Sequence, residues 1–155
     1  MSSYFLDSSA LVKRYLSEVG SAWTAALTDP LAGNSIVVAE ISRVEIAAAL
    51  AARSRAPGGI TQVERDRLFG LLVRHNTLEY EVIPISTQIV DRAMNLTQKH
   101  RLRGYDAVQL AAALDVQATA HAAGLPPLVF LTADEDLLTA AFAEGLAADN
   151  PNHHP

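Results

Sequence analysis

Four short, mostly apolar runs punctuate the chain: Tyr4-Phe5-Leu6, Ile36-Val37-Val38-Ala39, Glu81-Val82-Ile83-Pro84-Ile85 and Leu128-Val129-Phe130-Leu131. Each is too short for a stable helix and is bounded by polar or turn-forming residues, so each predicts a buried strand. Between them the apolar spacing changes to that of helices. Ala10 to Leu16 fits a helix broken at Gly20-Ser21, and Ser21 can cap a second short helix through Leu27. Asp29-Pro30 and Gly33-Asn34 are turn signals. An alanine-rich helix is expected from about Arg43 to Arg55, stopped by Ala56-Pro57-Gly58-Gly59. Thr61 and Glu64 have capping-box spacing and open a helix to about His75, and Ser86 caps another to about His100. After the basic turn Arg101-Leu102-Arg103-Gly104, a long helix is expected from Tyr105 to Ala123, closed by Gly124 and Pro126-Pro127. A last helix starts near Ala133 and ends before Gly145, and Leu146-Ala147-Ala148 forms a fifth, short strand. Unbroken apolar strands alternating with amphipathic helices imply an α/β fold whose parallel sheet is covered on both faces. The 155 residues suit a single domain over 1–148, with 149–155 as a flexible tail.

Composition narrows the chemistry. There is no cysteine, so disulfides, thiolate metal sites and thiol nucleophiles are excluded. No apolar run approaches the roughly 18 residues of a membrane-spanning helix. The first residues lack a basic segment ahead of an apolar one, so a cytoplasmic location without membrane attachment is expected. Twelve Lys and Arg against 17 Asp and Glu give a formal net charge of −5. That sign does not suit a simple basic nucleic-acid binder, but acids that sit on a cation drop out of the outer field. Only 6% of residues are aromatic, too few for a base-stacking platform.

Four acids stand inside apolar runs at strand ends or helix starts. Asp7 ends the first strand, Glu45 lies in the first turn of the alanine-rich helix, Asp106 begins the long helix, and Asp134 follows the fourth strand. Any one of them can simply favour a helix dipole, by roughly 0.3–1 kcal/mol. Together they suggest convergence, because functional groups of parallel sheets gather at the carboxyl ends of the strands. Two like charges 4 Å apart repel by about 4 kcal/mol at an effective dielectric of 20, more than dipole terms offset. A convergent cluster therefore needs bound cations or protonated members, and all-oxygen ligands suit Mg²⁺ or Mn²⁺.

Asp7-Ser8-Ser9-Ala10-Leu11-Val12-Lys13-Arg14-Tyr15, Arg43-Val44-Glu45, Leu102 to Leu114 (LRGYDAVQLAAAL) and Leu131-Thr132-Ala133-Asp134 resemble, in this order, a PIN-domain nuclease. The similarity is to the VapC toxins of type II toxin–antitoxin systems and runs from Tyr4 to about Ala148. It implies a three-layer α/β/α fold with a central, mostly parallel sheet and a metal-dependent ribonuclease site, with Mg²⁺ (or Mn²⁺) as cofactor. It also implies a homodimer inhibited by a cognate antitoxin. Carried over residue by residue, the metal and catalytic acids are Asp7, Glu45, Asp106 and Asp134. Thr132, Ser8 and Ser9 are supporting polar positions. Asp136 is an alternative to Asp134, and Thr132 with Glu135 also has capping-box spacing. Glu40 falls outside the matched motifs and reads as peripheral.

The chemistry this set permits is hydrolysis of a phosphodiester by a metal-activated water, with Glu45 either as ligand or as base. Candidate RNA contacts are Arg43 and Arg103, which flank matched acids, then Lys13 and Arg14, of which at most one faces the site, and the cluster Lys99-His100-Arg101. His75 and His121 lack metal-ligand spacing. A receiver-like phosphoacceptor would want an acidic pair after the first strand and a lysine after the last, and neither is present. A PIN fold that only binds, and a PIN nuclease outside toxin–antitoxin systems, remain the alternatives.

Overall fold

The computed structural model describes residues 1–155. Five strands, β1 (Ser3–Leu6), β2 (Ser35–Ala39), β3 (Tyr80–Ile83), β4 (Val129–Leu131) and β5 (Ala147–Asp149), pair in the order β3-β2-β1-β4-β5, and every pairing is parallel. The connections carry seven helices: α1 (Ser8–Leu11), α2 (Ser21–Thr28), α3 (Ser42–Arg55), α4 (Gln62–Leu78), α5 (Thr87–Lys99), α6 (Gly104–Ala122) and α7 (Glu135–Ala143). The register explains how such short strands hold. Phe5 stands opposite both Val37 and Phe130, so these three side chains point to one face, where they pack with Leu110, Ala111 and Leu137. The Phe5 and Phe130 rings stack there with centroids 5.8 Å apart. Leu6, Val38 and Leu131, one residue on, point to the other face against Leu11, Ile46, Leu50 and Leu72. Two separate cores, one on each side of the sheet, are the physical content of the three-layer architecture.

The local signals behave as their chemistry requires. Thr61 accepts from the Glu64 amide while the Glu64 carboxylate lies 3.5 Å from the Thr61 amide, closing the capping box of α4. Ser86 caps α5 through the Ile89 amide. Two expectations fail. The expected single helix through Leu16 is divided: Asp7 caps α1 at the Ala10 amide, and Val12–Arg14 tightens into a 3₁₀ turn that delivers Tyr15 and Leu16 into the core. The last seven residues are not a loose tail. Asp149 ends β5, Pro151 and Asn150 are buried, and the Asn150 amide donates to Glu135. His154 lies parallel to Trp23 at a centroid distance of 4.2 Å and 2.8 Å from Asp149. The sequence signal was misleading because these contacts are tertiary and the segment itself is polar.

Trp23 is the only tryptophan, so this docking has a direct reporter. His154→Ala is expected to shift Trp23 emission to longer wavelength and cost about 1 kcal/mol in urea unfolding, the scale of one stacked aromatic pair. An unchanged spectrum would show that the tail does not cover Trp23 in solution.

The chain runs outward from β1 through β2 to β3, then returns to the other side of β1 for β4 and β5. The direction of winding thus reverses between β1 and β4, the place where open parallel sheets form a crevice at the carboxyl ends of their strands. Asp7 follows β1 directly and Thr132 follows β4 directly.

Candidate active site

Asp7 leaves β1 and at once caps α1, which turns its carboxylate back over the sheet edge. Oδ1 accepts from the Ala10 amide at 2.8 Å and Oδ2 from the Thr132 hydroxyl at 2.7 Å. The Ser9 hydroxyl lies 2.7 and 2.9 Å from the two oxygens and itself accepts from the Ala133 amide. A carboxylate has about four acceptor positions, so these three donors leave roughly one free. The side chain is buried, with the residue only 3% exposed, and its pKa is pushed up to about 6. Burial is the main cause and the Asp106 charge adds to it, while the hydrogen bonds from Thr132, Ser9 and Ala10 oppose it.

Asp106, in the first turn of α6, is also held above the usual carboxylate range, first by burial and then by the charge of Asp134, with Arg103 opposing. Asp134 is the N-cap of α7, accepting from the Leu137 amide at 2.9 Å. Arg103 spans the two, 3.5 Å from Asp106 Oδ2 and 4.0 Å from Asp134 Oδ2, but it is largely solvent-exposed and neutralises them weakly. Asp106 thus links the set, acting on Asp7 and acted on by Asp134, although no three acidic or histidine side chains close into a ready-made cation cage. Glu45 joins through a buried amide: Gln109 Nε2, one helical turn beyond Asp106, lies 3.1 Å from Glu45 Oε1, 2.9 Å from Ser42 Oγ and 3.1 Å from Ser8 Oγ.

The donor set is all oxygen and short of positive charge, and two of its carboxyls are displaced upward. Those features are compatible with a hard divalent cation, which Asp7, Asp106, Asp134 and Glu45 would be the carboxylates to hold.

Asp106, Asp134 and Asp136 line a cleft of about 390 Å³ together with Thr97, His100, Arg101 and Arg103. A larger, mostly apolar hollow of about 550 Å³ lies beside α3 and α4, with Glu40 and Arg43 on its wall.

A sequence model of the PIN domain matches residues 4–143. Ribonuclease VapC45 of Mycobacterium tuberculosis is 32% identical over 146 residues, which is 91% of this chain and 90% of that protein. The chain belongs to the VapC family of PIN-domain proteins. Among solved structures, FitAcB from Neisseria gonorrhoeae superposes with a TM-score of 0.63 over 97% of this chain and 99% of that one, at 16% identity. VapC20 of M. tuberculosis, a sarcin-ricin loop cleaving toxin, gives 0.60 over 93% and 96%, at 13% identity. At such identities these two speak for the PIN fold alone.

The structure sorts the VapC-type site residues unevenly. Ser9 and Thr132 touch Asp7, whereas Ser8 reaches only Gln109. Thr132 does not cap α7: Asp134 does, and the Thr132 hydroxyl accepts from the Asp134 amide while donating to Asp7. Asp136 is exposed on the cleft wall, two residues beyond Asp134 and outside the hydrogen-bonded set. Of the basic candidates, Arg103 stands at the acids and Arg43 on the wall of the separate apolar hollow. Lys13 is buried and paired with Glu18, and Arg14 bonds Tyr80 and Glu79, so neither is free to meet RNA. Lys99 and His100 are both occupied by Glu144. Gln109 was missed as a site residue, although a polar side chain in the apolar run Val108 to Leu114 was the available signal.

No helix is long and apolar enough to cross a membrane.

Proposed function

We propose that this protein is a metal-dependent endoribonuclease, the toxin of a type II toxin–antitoxin pair, which hydrolyses RNA phosphodiester bonds. The observation that carries the reading is the buried, hydrogen-bonded Asp7 at the β1/β4 switch point, with Asp106 acting on it and Asp134 on Asp106, in a chain 32% identical to a named ribonuclease. Asp7, fixed by three donors, is the rigid member of the set, and Asp106 and Asp134 stand at the starts of α6 and α7 on either side of Arg103. Glu45 either completes the ligand set or takes a proton from the attacking water. Mg²⁺ or Mn²⁺ held by these residues supplies the charge needed to activate water and neutralise the phosphate. Arg103, exposed beside Asp106 and Asp134, is the residue best placed to meet a substrate phosphate, with Arg101 in the same cleft and Arg43 a second candidate on the wall of the apolar hollow. No side chain needs to bond covalently to RNA. A cognate antitoxin as partner, a homodimer and a cytoplasmic location belong to the same reading.

The test is cleavage of structured RNAs, including tRNA and rRNA fragments, with Mg²⁺, Mn²⁺ or EDTA. Cleavage is expected with either metal and is lost in EDTA. Undiminished cleavage in EDTA would remove the metal from the mechanism. Metal-bound protein inert towards the whole panel would favour a PIN fold that binds without cutting.

A further inference from the structure

Gln109 is 2% exposed in the interior of α6, where its neighbours Leu110, Ala111, Ala112 and Ala113 are all apolar and buried. Its Nε2 carries two hydrogens and has three acceptors within reach: Glu45, Ser42 and Ser8. An ionised carboxylate is the strongest of the three, so one hydrogen goes to Glu45 and the serines compete for the other. The reversed amide would aim Oε1 at the Glu45 carboxylate and repel it, which fixes the orientation. In that orientation Oε1 is buried with no partner. A side chain kept only to fill this space would be better as methionine, which has the same length and strands no acceptor. The amide earns its place through what its N–H does.

We propose that Gln109 is a positioning residue for catalysis: it holds the Glu45 carboxylate in a fixed place relative to Asp106, one turn earlier on the same helix. The proposal rests on the nuclease reading, in which Glu45 acts as ligand or base. Helix α6 supplies both Asp106 and Gln109, so a rigid element sets the separation between an acid of its own and an acid of α3. Ser8 and Ser42 bring α1 and the start of α3 to the same amide, so three helices are tied at one atom.

The experiment is a double-mutant cycle on the full chain: wild type, Gln109→Met, Glu45→Ala and the double variant, each read by RNA cleavage and by Mn²⁺ titration calorimetry, with thermal melts alongside. Gln109→Met is expected to fold, to lower kcat or weaken Mn²⁺ binding by about 10–100-fold and to leave KM for RNA unchanged. In the Glu45→Ala background the same change should cost nothing further, because the group it positions is gone. Equal losses in both backgrounds, in both readouts, would overturn the proposal, as would a folded Gln109→Met with full cleavage and full Mn²⁺ affinity. Should Gln109→Met not fold, Gln109→Asn keeps the amide but withdraws it by one methylene, and the same outcomes apply. If wild type binds Mn²⁺ but cuts no RNA, the nuclease reading fails and the Mn²⁺ cycle alone decides Gln109.

Discussion

Asp7→Asn is expected to lower RNA cleavage by at least about 100-fold and at the same time to stabilise the metal-free protein at neutral pH. The activity loss follows from removing the most tightly held anion of the acid set. The stability gain follows from its surroundings. The Asp7 carboxyl is held near 6, against an ordinary value of 3.8, mainly because its ionised form is buried. That displacement corresponds to about 3 kcal/mol against the folded state once Asp7 is ionised. A carboxyl raised in the folded state gives its full contribution below pH 3.8 and loses it as pH rises through 6. Asparagine has no such transition. It also keeps an oxygen for the Ala10 amide, and the Thr132 and Ser9 hydroxyls can turn to accept from its Nδ2. Urea unfolding of both proteins in EDTA should therefore show a gap that widens in favour of Asp7→Asn between pH 4 and pH 7, by up to about 3 kcal/mol, and then levels off. A gap independent of pH would mean that Asp7 is not strained by its burial. A folded variant that cuts RNA as well as wild type would remove Asp7 from the site.

Arg14→Ala is expected to cost about 2–3 kcal/mol of stability and to leave RNA affinity unchanged. The guanidinium donates to the Tyr80 hydroxyl at 2.6 Å and to Glu79 at 2.7 Å and lies over the Tyr80 ring. Tyr80 in turn meets Tyr15 at 2.8 Å, and Tyr15 meets His75 Nδ1 at 2.8 Å. Removing Arg14 strands a partly buried Glu79 carboxylate and opens a chain of hydroxyls that ties the start of β3 to the 3₁₀ turn after α1. Denaturant melts and RNA titrations below the melting temperature separate the two effects. Weaker RNA binding by a still-stable Arg14→Ala would return Arg14 to the substrate path.

Lys13 and Arg14 show where reading the chain alone runs out. Their positions, two turns after Asp7, are visible in the sequence, but whether a long basic side chain turns to solvent or to a buried acid depends on partners 5 to 66 residues away. The strands were legible because each is a short apolar run between turn residues, and the α4 and α5 starts were legible because capping is local. The division of the first helix and the docking of residues 150–154 were not, since both are decided by packing on distant segments. At the site, the four acids drew notice as charges within apolar runs. The role of the Thr132 hydroxyl, shared between Asp7 and the Asp134 amide, needed the β1–β4 pairing to be known.

That pairing also sets a timetable. The hydrogen bond from Thr132 to Asp7 joins residues 125 positions apart, and β1, the central strand, waits for β4 before its second edge is covered. Closing so long a loop is slow and comes late, because the entropy of closure is lost before any contact repays it. During synthesis Asp7 emerges well before Thr132, and its clamp is completed only after β4 has cleared the ribosome. On the nuclease reading, a chain ordered in this way stays inert beside the very RNA that is making it until β4 has emerged and paired with β1.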